Sequence, residues 1–202
     1  FLFLLLYQNI TYSKANDSND FNQKYLYSYF SALISSDNQR NEDAIKFFNS
    51  SKFLINKHDN FLRKYVFSLI LDGQVKKAIN QIKFSKEENF FEANLLLILD
   101  SLTRKKYKEA ENKINKLLSY EYDNTYEFVI LKSLESYNYS FLYKKIGKKD
   151  GNLGRIDLIS DAFQNCYLNS SKTNPSFLNI INFQENDYSR YLFFYLGNVI
   201  EN

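Results

Sequence analysis

The chain has 202 residues, 45% of them hydrophobic and 24% charged, which is enough to bury a core and too apolar for a disordered chain. Its 26 basic and 23 acidic side chains leave a net charge of +3, too balanced and too interspersed to point to nucleic acid. One proline and five glycines favour long helices joined by tight polar turns, and a single cysteine, Cys166, excludes an intramolecular disulfide.

The chain opens with an apolar run, Phe1-Leu2-Phe3-Leu4-Leu5-Leu6-Tyr7. It is far shorter than the roughly 20 apolar residues that span a bilayer, and it matches the apolar core of a secretory signal. Ser13-Lys14-Ala15 then puts small residues at the two positions a signal peptidase reads. We expect residues 1–15 to be a signal remnant and 16–23 a flexible linker. The location is then periplasmic or secreted, and cytoplasmic otherwise. The missing first Met leads us to expect a fragment of a longer chain.

Helical patterning begins at 25–36 and recurs at 61–71 and 91–102. Each stretch ends in a short polar turn and leads to a second helix. The turns are Asp37-Asn38-Gln39-Arg40, Asp72-Gly73-Gln74 and Thr103-Arg104-Lys105-Lys106. The second helices align on Ala44, Ala78 and Ala110, which are 34 and then 32 positions apart. Each Ala is followed four residues later by a large apolar residue: Phe48, Ile82 and Ile114. A small side chain lets two helices of a hairpin approach closely, and the residue one turn on fills the space between hairpins.

The stretch 125–143 reads as a further helix, followed by a basic, glycine-containing insertion at 144–155 that we expect to be a flexible loop. The stretch 156–168 then supplies a second helix, with Ala162 as its small residue. Pro175 can open a short helix, and 190–201 forms a last one, rich in Phe, Tyr and Leu. No polar helix closes this end.

These features resemble the tetratricopeptide repeat family over residues 24–118. Tyr107-Lys108-Glu109-Ala110 repeats the opening of that family's second helix, and Gly73 stands where its turn glycine stands. The chain departs from the family pattern at Ser28, Leu62 and Asn94, where an early aromatic is usual, and at Val66 and Ile98, where a small residue is usual. Ala32 keeps that small residue, and the inter-repeat proline is missing. The resemblance implies an all-α, right-handed solenoid of stacked antiparallel helix pairs, with divergent helical repeats over 119–202. It also implies a concave groove lined by the first helices. Carried over position by position, the groove holds Tyr29, Leu33, Arg63, Phe67, Ile70, Leu95 and Leu99. Such a surface suits an amphipathic helix or apolar segment of a partner. The family's carboxylate clamp falls on Tyr29, Leu33, Lys64, Glu92 and Leu96, and only Lys64 fits it.

No reactive constellation emerges, so we expect no enzyme, cofactor or metal site. His58 stands alone in a polar turn, and Cys166 reads as a small apolar residue on a helix face. Gly147-Lys148-Lys149-Asp150-Gly151-Asn152-Leu153-Gly154 matches neither the P-loop nor the dinucleotide fingerprint, and Asp150-Gly151-Asn152 is too sparse for calcium. Glu87-Glu88 lies in an inter-repeat turn with nothing to mark an acid and base pair. The expected role is a protein-interaction scaffold of bacterial type, with no nucleic acid, small-molecule substrate or membrane contact. The alternative is a helical accessory region of a longer enzyme or envelope assembly protein.

Overall fold

A computed structural model describes residues 23–58, 60–85, 90–120, 125–147, 153–182 and 191–201. The expected signal remnant 1–15, most of the 16–23 linker, Glu87-Glu88 and Asp150-Gly151-Asn152 lie outside them.

The described residues form ten α-helices and no strand. They are α1 (Gln23–Asp37), α2 (Asn41–Ser50), α3 (Phe61–Leu71), α4 (Val75–Phe84), α5 (Phe91–Thr103) and α6 (Tyr107–Leu118), then α7 (Thr125–Tyr143), α8 (Arg155–Tyr167), α9 (Thr173–Ile181) and α10 (Leu192–Glu201). A 3-10 turn, Lys52–Leu54, follows α2. Gln23, expected in the linker, already opens α1, and Arg155, expected in the insertion, opens α8. None of these helices is long and apolar enough to cross a membrane.

The helices fall into two compact units, α1–α4 and α5–α10. In the first, α1 packs on α2 and α3 on α4, and α2 and α3 join the two hairpins. The aromatic core of this unit is Tyr29, Phe48, Phe61 and Tyr65, with Phe48 edge-on to Phe61 at 5.2 Å. Tyr65 Oη donates to Asn49 Oδ1 at 2.6 Å, tying α3 to α2. Side by side, α1 and α3 are linked by a Lys64–Asp37 ion pair at 3.0 Å and by Ser68 Oγ, 3.2 Å from Ser36 Oγ.

Three turns share one geometry. Gln39, Gly73 and Lys105 have φ of 59°, 76° and 58°, in the left-handed region. Their N–H groups donate to Ser36 O, Ile70 O and Leu102 O at 3.0, 3.0 and 2.9 Å. The next N–H groups, of Arg40, Gln74 and Lys106, donate to Ser35 O, Leu69 O and Ser101 O at 2.9, 2.8 and 2.8 Å. This paired bonding satisfies carbonyls that a helix end leaves free. The second residue of each pair also caps the next helix, since Ala44, Ala78 and Ala110 donate to Arg40 O, Gln74 O and Lys106 O at 2.9, 3.1 and 3.0 Å. The three alanines thus sit at the same turn of equivalent helices, and all are 0% exposed. Phe48, Ile82 and Ile114 are buried one turn further on.

The second unit runs α5 to α10, each helix packing on the next. Ile98, Ala110, Ile114, Leu117 and Leu131 form one core cluster between α5, α6 and α7. Ala162, Phe177 and Ile180 form another, with Cys166 packed against its edge. Tyr107 is half-buried, its ring 5.5 Å from that of Phe141.

Between α7 and α8 lies a buried polar network centred on Gln164. Its Oε1 accepts from Ser140 Oγ at 2.6 Å and from the Gly147 N–H at 2.8 Å, and its Nε2 donates to Ser136 Oγ at 2.9 Å. A buried amide must be so satisfied to avoid a desolvation cost. Gly147 is buried here, so the expected flexible loop is anchored at its first glycine. The spacing of glycines in the sequence suggested freedom; the contact with α8 explains why this one is held.

Candidate interaction surface

The first helices of the first two hairpins, α1 and α3, each have a buried and an exposed face. On α1, Ser28, Ala32 and Ser35 turn inward at helical spacing and are buried. Tyr27, Phe30 and Ile34 repeat on the opposite face and are exposed. On α3, Phe61, Leu62, Tyr65, Val66 and Leu69 are buried, whereas Phe67 and Leu71 are exposed. Since α1 and α3 lie side by side, the first unit presents bulky apolar side chains from two neighbouring helices. The sequence reading missed Tyr27, Phe30, Ile34 and Leu71; for the three on α1 the signal is the stripe of small residues on its far side.

The expected groove residues separate on burial. Phe67 is 55% exposed and Leu99 41%, and Arg63 is exposed beside Phe67 on α3. Leu33, Ile70 and Leu95 are half-buried. Tyr29 is 6% exposed, its ring stacked on Phe61 at 5.3 Å and on His58 at 5.0 Å. Tyr29 therefore belongs to the core, and burial pushes its hydroxyl above its ordinary pKa. It is buried together with Ser28 and Ala32. The imidazole of His58 is exposed and packs on Tyr29 rather than joining a reactive group.

Within the second unit, an electrostatic cluster locks α5 to α6. Glu109 pairs with Lys113 one turn on and with Lys106 at 3.6 Å. Ser101 Oγ, on α5, lies 3.1 Å from Glu109 Oε1 and accepts from Lys113 Nζ at 3.2 Å. The Lys113 hydrogen bond is the main reason the Glu109 carboxyl is lowered to about 2. On α8, Cys166 is a half-buried free thiol. Among the described residues, no three His, Cys, Asp or Glu side chains gather as a metal site would need.

Comparison with protein-family models, curated proteins and solved structures finds no match to this chain.

Proposed function

We propose that this chain is a protein-interaction scaffold whose helix hairpins stack as a right-handed, tetratricopeptide-like solenoid. Its ligand is an amphipathic helix or apolar segment of another protein, held against the first helices. The observation that carries this reading is the exposure of Tyr27, Phe30 and Ile34 on α1 and of Phe67 and Leu71 on α3, two helices of the first unit that pack against each other. Contiguous bulky apolar side chains on a surface mark contact sites more often than chance. The repeated turn geometry supports a modular stack, because the same turn launches a second helix in three hairpins.

A photo-crosslinking residue at Phe67 in the 202-residue chain, expressed in its native host, tests the reading. One discrete crosslinked partner is expected, lost when Phe30 and Ile34 are both changed to Asp. No discrete adduct, or one unaffected by those changes, would remove the surface from consideration.

A second reading, the helical accessory region of a longer enzyme or envelope assembly protein, draws on α10. Its Phe193 and Ile200 are 79% and 82% exposed. Periplasmic or secreted placement rests on residues 1–15 acting as a signal, and fractionation of cells producing the chain tests it.

A further inference from the structure

We draw no further inference here: the strongest candidate, the surface patch of exposed apolar side chains that Leu192, Phe193, Leu196, Val199 and Ile200 form on α10, is an unpartnered helix face, and nothing in the structure shows what covers it.

Discussion

Gly147 lies so close to Ser136 that a Cβ on it would stand 2.3 Å from Ser136 Oγ, 2.5 Å from its carbonyl oxygen and 2.8 Å from its Cα. Two of these three atoms are backbone, so no rotamer change clears the overlap. The absence of a side chain at 147 is what lets the segment after α7 reach Gln164. Gly147→Ala should therefore destabilise the chain by about 1–3 kcal/mol, as overpacking does. Gly197, in α10, has nothing within 4 Å of its would-be Cβ. There, Gly→Ala should stabilise by up to ~1 kcal/mol through helix propensity. Urea denaturation of both variants measures the contrast.

The partners of Gln164 predict a second loss. Gln164→Leu leaves the Gly147 N–H without its acceptor and Ser136 Oγ without its donor, and the Ser140 hydroxyl keeps only a 3.4 Å bond to Ser136 O. Each unsatisfied buried group costs about 1–3 kcal/mol, so the variant should lose more than one such increment. Hydrogen exchange at the Gly147 amide should accelerate by more than the global destabilisation accounts for.

The shared turn geometry predicts opposite signs at equivalent positions. Gln39 and Lys105 hold the left-handed conformation that Gly73 holds at no steric cost. Gln39→Gly and Lys105→Gly should each stabilise by about 0.5–1 kcal/mol, the relief of strain outweighing the added chain entropy. Gly73→Ala should cost about 1 kcal/mol, because open space around the site does not remove the strain. Thermal unfolding of the three variants reads the signs directly.

Enlarging the alanines tests the close approach of helices. Ala44, Ala78 and Ala110 are fully buried. Ala→Leu at each should destabilise by about 1–3 kcal/mol, while Asn80→Leu, at an exposed position two residues past Ala78, should be nearly neutral. Equal effects at Ala78 and Asn80 would contradict the packing.

Glu109 predicts an acid dependence. Its folded pKa of about 2 lies below the ordinary 4.5, chiefly through the Lys113 hydrogen bond and despite an opposing burial effect. A depressed carboxyl stabilises fully above about 4.5, and the contribution fades as pH falls toward 2. The side chain is 47% exposed, so solvent screening reduces the effect to about 0.2–1 kcal/mol. Lys113→Gln should raise the Glu109 pKa toward the ordinary range in a carboxyl NMR titration, and should flatten this part of the stability profile.

Much of the helical pattern was legible because apolar periodicity and small residues have direct structural causes. The expected helix 61–71 matches α3, and 125–143 matches α7. Ala44, Ala78 and Ala110 could be read because a small residue at helical spacing leaves few other roles. The left-handed turns at Gln39 and Lys105 could not, since neither side chain advertises a positive φ as glycine does. Tyr29, carried over from a family as a groove position, is 6% exposed and stacks on Phe61. Its burial beside Ser28 and Ala32 on α1 is set by ring packing across the hairpins, which the local pattern does not show. Gln164 was also invisible, because its partners Ser136, Ser140 and Gly147 lie 17 to 28 residues earlier in the chain.

The common turn makes the chain divisible at defined points. Gln39 and Gly73 occupy the same conformation and are followed by residues that make the same bonds. Joining residue 39 directly to residue 74 would splice the end of α1 onto the start of α4 without altering the backbone path of the junction. Recombination at these joints would therefore remove or add the two helices between them, α2 and α3, leaving the corner itself intact.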